Sequence, residues 1–421
     1  MFKFMHAADL HLDSPLRGLE RYEGAPVDAI RGATRRALEN LTALALEERV
    51  AFVLIAGDVY DGNWPDHNTG LFFNAQMSRL REANIPVFLI SGNHDAENRM
   101  TRSLKLPDNV YRFDSGQAES RTLDDLGVTI HGQSFATAAV TERLAVGYPA
   151  CRAGDFNIGL LHTSATGYEG HEPYAPCSPN ELLAKDYDYW ALGHIHKRME
   201  LLAEPRVAFS GNVQGRHIRE TGPKGCSIVE VDDRRKTSIR FEPLDVLRWE
   251  RLSIDAADAE RPDDVVALFA QTLRTHLDQS GGRLLAVRVE LTGPTAAHEA
   301  LTAHQAQWSA ELRNTANDQS GGQAWIEKIK FETRPPADTE LIHDGPLGEM
   351  LQYLADVQTD DAELEALAAS LKDLAAKLPA ELKEDGDAGE QLDLLDNRWL
   401  RDTLAQVQPL LCDRLLKGAE A

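Results

Sequence analysis

Short apolar runs alternate with stretches of helical periodicity over about the first 240 residues, which is the pattern of an α/β fold. Phe2 to Ala8, Ala51 to Ala56, Val87 to Ser91, Phe156 to Leu161 and Tyr189 to Leu192 read as strands. Asp28 to Glu48 and Thr69 to Ala83 read as helices between the first three. A further strand-rich group, Arg206 to Gly211, Gly225 to Val231 and Thr237 to Phe241, is expected to pack as a second sheet. Together these predict a two-sheet α/β sandwich over residues 1–243.

The pattern restarts after Pro243. Trp249 to Ile254 reads as a strand, and Asp263 to Leu277 as a helix opened by Pro262. Leu285, Val287, Val289 and Leu291 alternate with Ala286, Arg288 and Glu290 as a half-buried strand does. A helix from His298 to Leu312 and a strand from Ala324 to Phe331 complete a small α+β domain of β-α-β-α-β order, residues 244–336. Residues 337–421 are helical and acidic. There Leu364, Leu367, Leu371, Leu374 and Leu378 recur at spacings of three and four behind an Asp360 to Glu363 capping box. A Gly-, Asp- and Glu-rich break near 384–390 precedes a second amphipathic stretch with Leu400, Leu404, Val407 and Leu411. These helices either fold onto their own body or dock a partner's helices.

Composition narrows the class. Hydrophobic content of 43% and charged content of 26% are those of a soluble globular protein. No apolar run approaches the roughly 20 residues that cross a bilayer, so no membrane association is expected. Cys151, Cys177, Cys226 and Cys412 are scattered, as buried thiols in a reducing cytoplasm would be. The opening MFKFMHAADLHL does not read as a secretory signal, and a cytoplasmic location is expected. The net charge of −23 argues against a polyanionic partner, but 20 acidic and 7 basic residues from Asp338 onward supply −13 of it. A nucleic acid therefore stays admissible where bound cations or a local basic loop make the site attractive.

The chemistry sits at the predicted strand ends. GHIH, residues 193–196, places His194 and His196 just past an apolar strand, and two imidazoles alone do not make a hydrolytic metal site. The missing groups follow other strands: Asp9 and His11 in ADLHLD, Asp58 in AGDVYD, Asn93 and His94 in SGNHD, and His162 in GLLHTS. In an open α/β sheet the carboxyl ends of the strands form one edge, so all of them converge on one rim.

This ordered set resembles the calcineurin-like metallophosphoesterases over about residues 4–215. Within them, HAADLHLDSPL and GNVQGRHIRETGPKG are similar to the DNA repair exonucleases, the SbcD-type nuclease subunits and especially the YhaO-like branch. The resemblance implies a metallophosphoesterase sandwich with the small domain as a cap shaping access to the metal rim. It implies that Asp9, His11 and His196 hold one metal ion, that Asn93, His162 and His194 hold another, and that Asp58 bridges both. Mixed imidazole and carboxylate ligation suits two divalent ions such as manganese. His94 takes the role of general acid and Asp95 that of the group orienting it, while Asp61 orients a ligand or the nucleophile.

Gln214, Arg216, His217, Arg219 and Lys224 lie close together in an otherwise acidic chain. They either contact a phosphate backbone beside the metals or form a solvated hairpin. The expected activity is hydrolysis of DNA phosphodiester bonds by an exonuclease of DNA repair. A phosphodiesterase acting on nucleotides or another small phosphoester, and a non-catalytic scaffold subunit of an ATPase complex, are the alternatives. The resemblance also implies a coiled-coil SMC-like ATPase partner and a homodimer.

Overall fold

The computed structural model describes residues 1–14, 26–61, 67–97, 105–165, 174–336, 346–377, 394–405 and 407. In chain order the strands are β1 (Phe2–Ala7), β2 (Phe52–Ala56), β3 (Val87–Ile90), β4 (Val110–Arg112) and β5 (Glu119–Leu123). Next come β6 (Val128–Gly132), β7 (Phe156–His162), β8 (Tyr189–Gly193), β9 (Met199–Ala203) and β10 (Arg206–Phe209). The last are β11 (Gly225–Val231), β12 (Thr237–Pro243), β13 (Leu247–Asp255), β14 (Leu284–Pro294) and β15 (Ala324–Arg334). They form two six-stranded sheets, ordered β12-β11-β1-β2-β3-β4 and β5-β6-β7-β8-β10-β9, and a three-stranded sheet ordered β13-β14-β15.

The sandwich follows from the continuous apolar runs. All five residues of β2 are buried, as strands covered on both faces are. Val53 and Ile55 point to one core, shared with Leu38 and Leu41 of the helix Ala33–Glu47 and with Phe73 and Met77 of the helix His67–Glu82. Phe52, Leu54 and Ala56 point to the other, between the sheets, with Ile158, Leu160 and Tyr189. There Phe4 stacks on Phe52 at 5.0 Å and meets the edge of Tyr189 at 5.2 Å. His6 crosses the same gap, its Nδ1 2.9 Å from the Tyr189 hydroxyl and its Nε2 3.2 Å from the Leu192 carbonyl oxygen.

The expected second sheet is corrected. Arg206–Phe209, Gly225–Val231 and Thr237–Pro243 do not pack together: β10 joins β8 in parallel, whereas β11 pairs antiparallel with β1, Lys3 opposite Glu230, and carries β12 to the edge. The free flank of β1 needs a ladder partner, and β11 supplies it from the far end of the domain. The second sheet is instead completed by β5, β6 and β9. The helix expected over Asp28 to Glu48 is broken at Gly32, and that from His298 at His304.

The contacts divide the chain into two compact units. One comprises Met1–Arg251, His276–Arg288 and Gly321–Glu327; the other comprises Leu252–Thr275, Val289–Ser320 and Lys328–Ala421. In the first, Leu247, Trp249, Ala286 and Trp325 pack with Ile30 and Ile218. Arg288 of β14 is buried against Glu327, 2.8 Å away, so this strand is covered on both faces where a half-buried one was expected. In the second unit Leu364, Leu367 and Leu371 of the helix Asp361–Lys377 pack with Leu400 and Leu404, while Leu374 is exposed. The Asp360 side chain accepts the Ala362 amide at that helix's start. Leu378, Leu411 and the break near 384–390 lie outside the described residues. Among the described residues no helix is long and apolar enough to cross a membrane.

Candidate metal centre

Five strand ends meet at one rim, and the backbone there is unusual. Asp9, His11, Asp58 and His194 have φ of 52°, 44°, 52° and 99°. Left-handed backbone costs a non-glycine residue free energy, so four such residues at one rim mark a place where side-chain direction is imposed by its surroundings. The Asp9 and His11 amides donate to the Gly57 and Asp58 carbonyl oxygens, both at 3.0 Å, locking the first two segments together. Gly57 and Gly92 let the segments close up. A Cβ on Gly57 would lie 2.5 Å from His162 Nδ1, and one on Gly92 would lie 2.2 Å from Asp58 Oδ1.

The side chains form three donor sets, one of them sharing a residue with each of the others. Ligand atoms of Asp9, His11 and His196 lie within 4.8 Å of one another, as do those of Asp58, His162 and His194 and those of His11, Asp58 and His94. Asp58 is central. Its Oδ1 accepts the His94 amide at 3.0 Å, and its Oδ2 lies 3.4 Å from His162 Nε2 and 3.9 Å from His11 Nε2. Asp9 accepts the His194 amide on both carboxylate oxygens, at 3.0 and 3.1 Å.

Several lone pairs here face one another. His162 Nδ1 donates to the Ala56 carbonyl oxygen at 2.9 Å, which leaves Nε2 as the acceptor of the neutral ring. Yet Nε2 points at two further acceptors, Asn93 Oδ1 at 3.0 Å and the Asp58 carboxylate. Three converging acceptors call for a cation. Burial opposes a charge on His162, but the Asp58 and Asp9 carboxylates outweigh it and push the ring up to about 9, so a proton stands where a cation would. His11 and His196 meet Nε2 to Nε2 at 3.1 Å. Burial and the Arg216 charge push His11 down to about 3, so it presents a bare lone pair.

Asp61, expected to orient a ligand or the nucleophile, lies 3.6 Å from His11 Nδ1 and also takes the place beside His94 expected for Asp95. His94 Nδ1 lies 2.8 Å from Asp61 Oδ1, and the same carboxylate takes the Ser14 hydroxyl and Arg216 Nη1 at 3.3 Å. Asp95 does not orient His94. It is buried with its oxygens accepting the Val59, Tyr60 and Gly92 amides at 3.1, 2.9 and 3.1 Å. Successive residues of the short helix Asn93–Glu97 point about 100° apart, so His94 and Asp95 cannot face the same way. Asp95 ties the Asp58 loop to the His94 loop. Burial, with the Asp58 charge beside it, pushes its carboxyl up to about 7.

A calcineurin-like phosphoesterase family model matches residues 2–198, and a model of the middle domain of metallophosphoesterase YhaO matches residues 249–334. The chain is 37% identical over 295 residues to the uncharacterized metallophosphoesterase YhaO of Bacillus subtilis, across 69% of this chain and 71% of that one. The chain belongs to the calcineurin-like metallophosphoesterases, in the YhaO family. This metallophosphoesterase is also 27% identical over 247 residues to the DNA double-strand break repair protein Mre11 of Thermoplasma acidophilum, across 54% of this chain and 62% of that one. To SbcD, a component of the nuclease SbcCD of Staphylococcus saprophyticus, it is 26% identical over 279 residues, across 58% and 70%.

The basic stretch divides in two. In this metallophosphoesterase His217 and Arg219 are exposed. Gln214 is buried and spans the Val246 amide and the Leu247 carbonyl oxygen, while Lys224 donates to the His196 carbonyl oxygen at 3.2 Å. Arg216 turns inward to Asp61 and Glu220, so the solvated-hairpin alternative does not hold for this residue. Glu220, absent from the expected site residues, lies 2.7 Å from His196 Nδ1. Its one sequence signal is that it is the sole acid between Gln214 and Lys224.

Proposed function

We propose that the rim is the active centre of a DNA phosphodiesterase, most of all an exonuclease, using two divalent ions, manganese for preference. The observation that carries the reading is the convergence of imidazole and carboxylate ligand atoms around Asp58 with His94 beside them, its Nδ1 engaged by Asp61. Asp9, His11 and His196 would hold one ion, Asn93, His162 and His194 the other, and Asp58 would serve both. Bound there, the ions would supply positive charge for a phosphodiester and a water of lowered pKa to form the new P–O bond. As the P–O bond to the leaving oxygen breaks, the His94 imidazolium gives the departing oxygen its Nε2 proton and keeps the Nδ1 proton toward Asp61, whose carboxylate stabilises the charged ring. The Mre11 and SbcCD relatives, named as a double-strand break repair protein and a nuclease, favour DNA over a small phosphoester. A coiled-coil SMC-like ATPase partner, homodimerisation and a cytoplasmic role in DNA repair belong to the same proposal.

The test is turnover of end-labelled single-stranded and duplex DNA beside bis-p-nitrophenyl phosphate and cyclic nucleotides, each with manganese and with magnesium. Release of mononucleotides from DNA ends supports the reading. Turnover confined to the small esters would move the substrate assignment, and no hydrolysis of any would leave only the scaffold role.

The exposed loop gives a second expectation. Arg219→Glu weakens DNA binding and reduces the slope of log affinity against log salt by about 1, with hydrolysis of bis-p-nitrophenyl phosphate unchanged. A slope equal to that of the unaltered protein would return Arg219 to ordinary surface charge.

A further inference from the structure

The two metal positions are supported differently. His162 is oriented by a backbone carbonyl, Ala56, whereas His196 is oriented by a side chain, Glu220. Glu220 is 6% exposed and spends its whole accepting capacity locally. Its Oε2 takes the Asn212 side-chain amide at 2.9 Å and the Arg216 amide at 2.7 Å, and its Oε1 takes Arg216 Nη2 at 3.0 Å and the ring at 2.7 Å. Arg216 Nη2 also comes within 3.2 Å of His196 Nδ1, as two donors sharing one carboxylate oxygen do. With Nδ1 carrying the proton toward Glu220, His196 Nε2 is left as a lone pair facing His11. The loop itself is pinned, because Trp249 Nε1 donates to the Gly215 carbonyl oxygen and the Gly222 amide donates to the Trp249 carbonyl oxygen.

We infer that Glu220 is a positioning residue: it fixes the tautomer and direction of His196, with Arg216 holding Glu220 in place, and so sets the affinity of the Asp9–His11–His196 position without affecting the Asp58–His162–His194 one. The inference rests on the reading of these residues as metal ligands. It predicts that the two cation equivalents respond unequally to one change lying outside the ligand set. A carboxylate that orients a ligating imidazole is worth about 10–100-fold in metal affinity.

The experiment is a calorimetric titration of the full-length, metal-depleted chain with manganese, repeated with cobalt to follow its visible absorption. Glu220→Gln is expected to weaken one equivalent by about 10–100-fold, leave the other within error, and alter the absorption of the weakened one alone. Glu220→Asp keeps the charge and should recover part of the affinity, and it carries the test if the Gln variant fails to fold. Two unaltered equivalents, or two that fall together, overturn the inference. His196→Ala separates it from the reading beneath. If that variant loses the same equivalent while the Glu220 variants lose nothing, His196 is a ligand and Glu220 is not its positioner; if it loses none, the ligand assignment itself falls.

Discussion

Replacing His94 by Gln is expected to lower the hydrolysis of DNA by about 10²–10⁴-fold while both cations stay bound. Glutamine fills a similar volume and keeps a polar tip, but it has no proton to give. The leaving oxygen of a DNA strand is an alkoxide that needs one. A p-nitrophenolate departs without it, so turnover of bis-p-nitrophenyl phosphate should fall far less than turnover of DNA. The ring is well placed for this division: its side chain is 37% exposed, its Nδ1 is engaged by Asp61, and it lies beside His11 and Asp58. Elemental analysis and parallel rates on the two substrates decide the matter. Equal losses on both, accompanied by a fall in metal content, would make His94 a ligand with His11 and Asp58.

Gly92→Ala should do comparable damage through a single methyl group. The new Cβ would lie 2.2 Å from Asp58 Oδ1 and 2.8 Å from His162 Cε1, so the Asp58 carboxylate or the His162 ring must withdraw. Displacement of about 1 Å at reacting groups costs on the order of 10²-fold in rate, and overpacking costs about 1–3 kcal/mol in stability. The expected result is loss of both cations and of hydrolysis in a chain that still folds, read from metal content and thermal denaturation. Gly147→Ala is the control, because a Cβ there meets nothing within 4 Å. Full metal content in the Gly92 variant would show that the rim is looser than these distances say.

Much of this is legible in the chain. Asp9, His11, Asp58, Asn93, His162, His194 and His196 each follow or end an apolar strand, and parallel strands deliver their carboxyl ends to one edge, so order alone gathers them. Strand partners are less legible. Hydrophobic period reports that a segment is a strand and which residues share a face, not which neighbour it hydrogen-bonds. Thus the pattern sends β11 to the wrong sheet, although its ladder to β1 runs over five residue pairs. The same limit explains Asp61 and Asp95. Both are acids beside a motif, and only the direction of the short helix shows that Asp95 faces the backbone of the Asp58 loop while Asp61 faces His94. Arg216 and Lys224 count as surface charge in a linear reading. Their burial is possible because Glu220, Asp61 and the His196 carbonyl oxygen accept from them.

The left-handed backbone at Asp9, His11, Asp58 and His194 narrows what evolution can put there. Glycine at any of the four would relax the chain by roughly 1 kcal/mol or more, yet it would delete a donor. Selection for heat resistance and selection for turnover therefore pull these positions in opposite directions. A lineage released from its enzymatic duty should drift toward glycine at the rim before its core changes.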